Sequence, residues 1–317
     1  MMYERLKPER TTIDEIEQHF GAQVQNVVGI EIGNSPGKKI KFKFRLSGKQ
    51  YFAKELPHDS ALLEKYHLLS QIRGTIPEAV IPTAVIASET GKIIAVSEYI
   101  HNGITLDAAY PELPAQKRRM AGMQVGYFMK RLHSSVLFSR SDEPVICDEQ
   151  IRSVIARYVP AEQRDVFYRL ICLRKNRCAK GPYSLIHRDV RPQNIILDKE
   201  DGIRIIDFEN AELAPALYDL SSCLMLSHKY HDFQLGAIRG YFQNDVPDAF
   251  WMEEKQHLAW QLLEYASVYP NDSVSIERKF HMLCEYITSE RLLPDWWPRR
   301  MEAGPAVHKI CFHDAPE

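Results

Sequence analysis

The clearest periodic pattern in the chain begins at Ile40, where apolar and charged residues alternate. The apolar members are Ile40, Phe42, Phe44 and Leu46, and the charged members are Lys41, Lys43 and Arg45. Residues 47–49 (Ser-Gly-Lys) supply a turn, and residues 51–54 return as a second apolar segment. Because alternation on both sides of a glycine-containing turn is typical of paired strands, the pattern predicts a β-hairpin.

The remainder of the first hundred residues adds one main helix and two strands. A helical stretch begins at residue 13 and gives way to an apolar segment near 27–30. Asp59 can cap a helix over 60–72, in which leucine and tyrosine recur at helical spacing. Residues 79–86 and 92–100 predict two further strands. We therefore expect a small, strand-rich first unit.

Helical spacing dominates after residue 100. Residues 114–135 predict one long helix, residues 148–179 are helical again, and helical patterns run from 216 to about 291. Two short apolar segments, 195–197 and 203–206, interrupt them. This change from strand patterns to helical patterns predicts two lobes, residues 1–99 and residues 100–317, with no loose linker between them.

Composition and charge restrict the class of protein. The 317 residues are 45% hydrophobic and 26% charged, which is ordinary globular usage. A net charge of −2 gives no basic field for nucleic-acid binding. We find no signal peptide and no apolar run of membrane-spanning length, so we expect a cytoplasmic protein without a membrane partner. Six irregularly spaced cysteines predict free thiols and no zinc site.

One polar segment carries the candidate chemistry. Residues 185–197 read LIHRDVRPQNIIL, and residues 203–209 read IRIIDFE. Asp189 and Asn194 bracket one loop, and Asp207 opens the next. Phosphoryl transfer from ATP needs an Asp that orients the attacking hydroxyl and accepts its proton, together with an Asn and an Asp that hold Mg²⁺. Asp189, Asn194 and Asp207 match these roles in order.

The arrangement HxDxxxxN followed by Asp-Phe resembles the protein-kinase-like superfamily. Asp207 is followed by Phe-Glu instead of Phe-Gly, and the text IDFENA with a later YDL is similar to the aminoglycoside phosphotransferase and choline kinase family. The resemblance implies an α+β bilobal fold, with a small antiparallel sheet lobe, a larger helical lobe, and ATP and Mg²⁺ between them. No long activation segment fits between Asp207 and Asp219, which favours a small-molecule hydroxyl acceptor over a peptide.

The same resemblance implies roles for residues of the first lobe and for Arg191. Lys54 would hold the ATP phosphates, with Glu64 as its partner on the helix. Glu98 and Ile100 would offer backbone groups to the adenine, and Ser35 would contact phosphate in a degenerate glycine loop. Arg191, two residues after the candidate base Asp189, would steady the transferring phosphate or form a salt bridge to a nearby carboxylate. His133, His187 and Asp219 are expected to be structural, with Asp219 bracing the catalytic loop through backbone hydrogen bonds.

Charge is unevenly distributed in the second lobe. Residues 151–204 carry a net charge of +6, and residues 207–254 carry −7. An acidic wall in the second stretch would suit a cationic acceptor such as an aminoglycoside or an amino alcohol. Solvated helix faces are the alternative explanation. The carboxylates concerned are Glu209, Asp232, Asp245, Asp248, Glu253 and Glu254.

Three alternatives to an antibiotic kinase remain open at this point. The first is a protein kinase, which the HRD sequence and Arg191 favour. The second is a non-catalytic relative of the spore-coat type. The third is a metabolic kinase for choline, homoserine or a sugar. The oligomeric state and the choice of ATP or GTP are not encoded in any feature we recognise.

Overall fold

The computed structural model describes residues 8–30, 40–135, 137–138, 146–178, 183–198, 202–226, 228–291, 293–294 and 297. The chain forms two compact units. Unit 1 runs to Gly103 and also includes Arg204–Glu209, and unit 2 comprises the rest. The break after Gly103 lies just beyond the predicted boundary at 99/100. The return of residues 204–209 to unit 1 was not predicted.

Unit 1 is built on a five-stranded antiparallel sheet of order β1-β2-β3-β5-β4. Its elements are α1 (Arg10–Phe20), β1 (Val24–Gly29), β2 (Lys41–Leu46), β3 (Lys49–Pro57), α2 (Ser60–Gln71), β4 (Ala84–Ala87) and β5 (Lys92–Glu98). The predicted hairpin is confirmed as β2 and β3. Ser47 and Gly48 both have positive φ, 48° and 82°, as a two-residue hairpin turn of type I′ requires.

The two faces of β3 carry different chemistry. Ala53 pairs with Phe42 and Val96, and it packs with them in the apolar core beneath α1. Lys54 pairs with Lys41 and Ala95, so its side chain points to the opposite face. The sheet therefore separates an apolar core on one side from a buried cation on the other.

Residues 204–209 belong to unit 1 because they hydrogen-bond to the segment before β4. Ile205 donates to the carbonyl oxygen of Glu78 at 2.7 Å and accepts from the N–H of Val80 at 2.8 Å. This pairing explains why β4 begins at Ala84 and not at the predicted residue 79: residues 78–80 hydrogen-bond to residue 205, and Pro82, next in line, has no N–H to donate to a ladder.

Unit 2 is mainly helical, as predicted. Its helices are α3 (Leu106–Ala109), α4 (Ala115–Ser135), α5 (Asp148–Tyr158), α6 (Arg164–Cys178), α7 (Leu217–Leu224), α8 (His231–Tyr241), α9 (Asp248–Val268) and α10 (Ser273–Thr288). Its strands are β6 (Ile104–Thr105), β7 (Leu137–Phe138), β8 (Tyr183–Ile186), β9 (Ile195–Asp198), β10 (Gly202–Ile205), which ends in unit 1, and β11 (Glu212–Ala214). They form sheets of order β10-β9-β6 and β11-β8-β7.

The helical stretch predicted over 148–179 is divided in two. α5 ends at Tyr158 and α6 begins at Arg164. Pro160 lies between them, and a proline inside a helix removes a backbone donor and clashes with the preceding turn. Among the helices the structure describes, none is both long and apolar enough to cross a membrane.

Four glycines allow α4 and α8 to pack backbone against backbone. Gly122 and Gly126 lie on α4, and Gly236 and Gly240 lie on α8. A Cβ at any of the four would overlap a backbone carbonyl oxygen of the facing helix. Because residues four apart share one helix face, each pair forms a flat strip against which the other helix fits.

This contact predicts that Gly240→Ala destabilises the protein. The added methyl group would overlap the carbonyl oxygen of Met123, so the helices must separate, at a cost of about 1–3 kcal/mol. Urea denaturation would measure the loss. Ser134→Ala on the exposed end of α4 is the control, with an expected change within about 0.5 kcal/mol. An unchanged midpoint for Gly240→Ala would contradict the close contact.

Candidate active site

The loop after β8 brings Asp189 and Asn194 together. Asn194, in a short 3₁₀ turn, is 5% exposed. Its Nδ2 donates to the backbone oxygen of Asp189 at 3.0 Å and to the carboxylate Oδ2 at 2.8 Å. The N–H of Asp189 donates to Nδ1 of His187 at 3.2 Å. These bonds fix the direction of the Asp189 carboxylate, and they give His187 a bracing role within the loop.

Asp219, at the start of α7, anchors this loop from beneath. Its fully buried carboxylate accepts from the N–H of His187 at 2.8 Å and of Arg188 at 2.6 Å, and lies 3.0 Å from Nε2 of His133. Burial alone would raise the pKa of Asp219, but the hydrogen bond and charge of His133, with smaller contributions from His187, lower it below its usual value. The predicted bracing by backbone hydrogen bonds matches this geometry. The contact of His133 with this buried carboxylate is consistent with the structural role expected for it.

Arg188 forms a buried ion cluster that the sequence analysis missed. Its φ is 66°, in the left-handed region that non-glycine residues seldom adopt. The guanidinium forms ion pairs with Glu212 of β11 and Glu264 of α9, and Glu264 also accepts from the hydroxyl of Tyr218. Burial opposes the charged form, but Tyr218, Glu212 and Glu264 outweigh it and raise the pKa of Arg188. The cluster offsets the strain of the left-handed conformation.

Arg191 takes the second of its two predicted roles. Its guanidinium lies 3.1 Å from Oδ2 of Asp189, and half of the side chain is exposed. The ion pair directs the carboxylate of the candidate base, and half of the guanidinium side chain remains exposed to solvent.

Unit 1 contributes a second cluster around Lys54. Only 6% of Lys54 is exposed. Its Nζ lies 2.8 Å from Oδ1 of Asp207 and forms a second ion pair with Glu209. Asp207 has a φ of 70°, which turns the chain sharply after β10 and directs its carboxylate to Lys54. The side chain of Lys54 therefore points inward, towards these two carboxylates.

The predicted ion pair between Lys54 and Glu64 does not form. Glu64 is exposed on α2, while Tyr66 and Leu69 carry the buried face of that helix. Two residues turn a helix by about 200°, so Glu64 points away from the face that Tyr66 occupies. The neighbouring Lys65 points inward instead, and its Nζ donates to the backbone oxygen of Glu209 at 2.9 Å.

Of the other residues expected to bind the nucleotide, the structure describes Glu98 and Ile100 but not Ser35. Glu98 ends β5 with an exposed side chain 3.9 Å from the amine of Lys49, and Ile100 follows two residues later, half-buried. Their backbone groups at the end of an inner strand remain the predicted adenine contacts. Residues 31–39 lie outside the described residues, and they include Ser35 and most of the glycine loop expected over 29–37.

The acidic residues after Asp207 do not form one wall. Asp232 pairs with Arg119 at 2.9 Å, and Glu209 pairs with Lys54. Glu254 is completely buried, which raises its pKa well above the ordinary value. Asp245 and Asp248 are exposed where α8 leads into α9, and Glu253 is half-buried. The net charge of the stretch is therefore a poor guide to the acceptor.

A cavity of about 230 Å³ lies in unit 2 beside α7, α8 and α10. Gln234, which is 1% exposed, lines it, and its Nε2 donates to the carbonyl oxygens of Cys223 and Leu226. This fixes the amide orientation, and its Oε1 has no hydrogen-bond partner among the described residues. About half of the other lining residues are apolar, among them Leu224, Leu226 and Met282, and about half are polar or charged, among them His231, Glu285 and Arg291.

The donors present fit the Mg²⁺ that the sequence predicts. The Nδ2 of Asn194 is committed to Asp189, which leaves the amide oxygen for a hard cation, and Asp207 offers a carboxylate. Among the described residues, no group of three or more His, Cys, Asp or Glu side chains could hold a metal alone. An amide oxygen in unit 2 and a carboxylate in unit 1 are each ligand types that Mg²⁺ accepts alongside water and phosphate oxygens.

The Asp219 anchor yields a pH-dependent prediction. Because the pKa of Asp219 is lowered in the folded state, its stabilisation is present above the unfolded pKa of about 4 and is lost as the pH falls through the folded pKa. Asp219→Asn should cost about 3 kcal/mol at pH 7. Its deficit relative to wild type should shrink as the pH falls below about 4.

Urea denaturation over a pH series checks both statements. Asp148→Asn, which removes an exposed partner of Lys175, is the control and should stay within about 0.5 kcal/mol of wild type. Wild-type stability in Asp219→Asn at neutral pH would show that the loop does not depend on this carboxylate.

Comparison with known proteins gives consistent results. A search of the curated proteins finds no match. The fold is similar to a thermostable mutant of aminoglycoside phosphotransferase APH(4)-Ia in ternary complex with ADP and hygromycin B, with a TM-score of 0.62 and 13% identity, over 88% of this chain and 98% of that chain. For spectinomycin phosphotransferase APH(9)-Ia with ADP and spectinomycin, the TM-score is 0.54 at 16% identity, over 88% and 97% of the two chains.

A third structure, a mutant of aminoglycoside 2'-phosphotransferase-IIIa in complex with GDP, gives a TM-score of 0.60 at 15% identity, over 88% of this chain and 97% of that chain. These likenesses establish the predicted α+β, kinase-like fold. The sequence model of the phosphotransferase enzyme family (APH) matches residues 45–254, about two thirds of the chain. The chain therefore belongs to the phosphotransferase enzyme family.

Proposed function

We propose that this protein transfers the γ-phosphate of ATP to a hydroxyl group of a small molecule. The observation that carries the proposal is the loop of residues 187–194, in which Asn194 and Arg191 direct the carboxylate of Asp189 and Asp219 holds the loop backbone. A carboxylate so fixed, followed in sequence by an Asn and an Asp suited to Mg²⁺, serves phosphoryl transfer.

In the proposed reaction, Asp189 orients the acceptor hydroxyl and accepts its proton. The acceptor oxygen bonds to the γ-phosphorus as the bond from that phosphorus to the ADP oxygen breaks. Arg191 steadies the transferring phosphoryl group with its exposed guanidinium, and Lys54 binds the phosphates of the nucleotide. Asn194 and Asp207 would hold Mg²⁺, which when bound neutralises charge on the phosphate oxygens.

A short connection favours a small acceptor over a peptide. Between Asp207 and Asp219 the structure describes every residue: a 3₁₀ turn at Phe208–Asn210, then β11, then the first turn of α7. No segment remains for a peptide-docking loop of the protein-kinase type. The protein-kinase alternative is therefore weaker, and the complete set of Asp189, Asn194, Lys54 and Asp207 disfavours a non-catalytic relative.

The acceptor we propose is a small molecule that carries a hydroxyl group, and an antibiotic is one such class. Two of the three solved structures named above are complexes with hygromycin B or spectinomycin, which supports an antibiotic acceptor. Three of the six carboxylates that suggested a cationic acceptor are paired or buried. The cavity beside Gln234 is lined by both apolar and charged side chains, so it favours no one class of acceptor.

A panel of acceptors tests the proposed activity. ADP release would be measured with aminoglycosides, spectinomycin, choline, homoserine, sugars and neutral apolar alcohols, each with ATP or GTP and Mg²⁺. We expect acceptor-dependent release with one of these classes. Release with a generic protein substrate such as casein, and with none of the small molecules, would instead establish the protein-kinase alternative.

Asp189→Asn should abolish transfer while ADP binding persists. The amide keeps the size of the side chain but cannot accept the proton, so kcat should fall by at least about 100-fold. Isothermal titration with ADP should give a Kd within about threefold of wild type, since Asp189 is assigned to the acceptor hydroxyl. Undiminished turnover in this variant would refute the assignment of Asp189 as the base.

A further inference from the structure

The buried cation of unit 1 has a partner that the family pattern does not assign to it. Lys54 is held by Asp207, the proposed metal ligand, and by Glu209, two residues further along. The side chain of Glu209 is 15% exposed and that of Lys54 is 7% exposed. A buried ammonium group needs a fully engaged carboxylate, because an unpaired charge in this setting is costly.

The helix that should supply this carboxylate supplies a lysine instead. Glu64 faces solvent, and Lys65 occupies the inward position on α2 and donates to the backbone oxygen of Glu209. Lys65 therefore fixes the backbone of Glu209 while Glu209 fixes the ammonium of Lys54. The carboxylate that pairs with Lys54 therefore lies in the turn after β10 and not on α2, and α2 holds that turn through Lys65.

The charge around Tyr66 is consistent with this arrangement. Burial is the largest cause that raises the pKa of Tyr66, and the charges of Glu209 and Asp207 raise it further. The phenol therefore stays neutral beside the two carboxylates. Lys54 is the cation that these two carboxylates share, so their positions and its position are coupled.

The two carboxylates have different tasks once a nucleotide is bound. Under the proposed function Asp207 serves Mg²⁺, so it cannot also be the sole support of Lys54. Glu209 follows in the short 3₁₀ turn Phe208–Asn210 and is pinned by Lys65. We infer that Glu209 is the positioning residue that holds Lys54 against the nucleotide phosphates, in place of Glu64. This inference rests on the proposed function.

Nucleotide binding, which requires no acceptor, tests the inference. Isothermal titration with ADP, in the presence and absence of Mg²⁺, would compare wild type, Glu209→Gln and Glu64→Gln. We expect Glu209→Gln to weaken ADP binding about tenfold or more, since it removes one partner of a buried ion pair. We expect Glu64→Gln to bind ADP within about twofold of wild type, because its side chain is exposed.

A double-mutant cycle separates positioning from other roles. If Glu209 acts through Lys54, adding Glu209→Gln to Lys54→Met should change the Kd for ADP by less than about twofold. Glu209→Asp, which keeps the charge, should recover part of the lost affinity. Circular dichroism and urea denaturation would show whether the variants fold. If Glu209→Gln does not fold, Glu209→Asp replaces it in the comparison.

Two results would overturn the inference. One is a loss of ADP affinity in Glu64→Gln equal to that in Glu209→Gln. The other is an effect of Glu209→Gln that stays undiminished in the Lys54→Met background, or that appears only with Mg²⁺, since either would make Glu209 act independently of Lys54. Failure to find any acceptor while the cycle behaves as expected would count against the transfer activity and leave this inference standing. A wild-type protein that does not bind ADP would refute both.

Discussion

The carboxylate of Asp219 is the constraint on which the arrangement of unit 2 depends. It is fully buried, yet it accepts from two consecutive backbone N–H groups of the loop of residues 187–194 and contacts a histidine of α4. A buried charge is tolerated only when its hydrogen bonds are complete. The loop, α4 and α7 must therefore adopt positions that complete them together, and the direction of Asp189 follows from that requirement.

Unit 1 also contains a buried charge whose partners are complete, but there the buried charge is positive. There the buried group is a cation, Lys54, and two carboxylates from one short turn surround it. Both units thus build their candidate chemistry on residues with positive φ, Arg188 and Asp207. In each case an ion pair offsets the unfavourable backbone conformation: Arg188 through Glu212 and Glu264, and Asp207 through Lys54.

The sequence predicted local features well and distant partners poorly. The β2–β3 hairpin, the cap at Asp59 and the Asp189–Asn194 loop depend on residues close in the chain, and each is present. The family resemblance implied Glu64 as the helix partner of Lys54, but the helical phase of Glu64 turns its side chain to solvent. The pairing of Arg188 with Glu264 joins residues 76 positions apart, and no local pattern could have indicated it.

The glycine contact between α4 and α8 explains how the Asp219 anchor is aligned. Close approach of these helices brings Nδ1 of His133 to 3.1 Å from the hydroxyl of Tyr241, at the end of α8. Burial, with a further contribution from Asp219, raises the pKa of Tyr241 to about 12, so the phenol keeps its proton. The other ring nitrogen of His133, Nε2, lies 3.0 Å from the carboxylate of Asp219. Because His133 lies on α4 and Tyr241 on α8, this contact depends on the close packing of the two helices. Through His133, the same packing supports the Asp219 carboxylate that holds the backbone of residues 187 and 188.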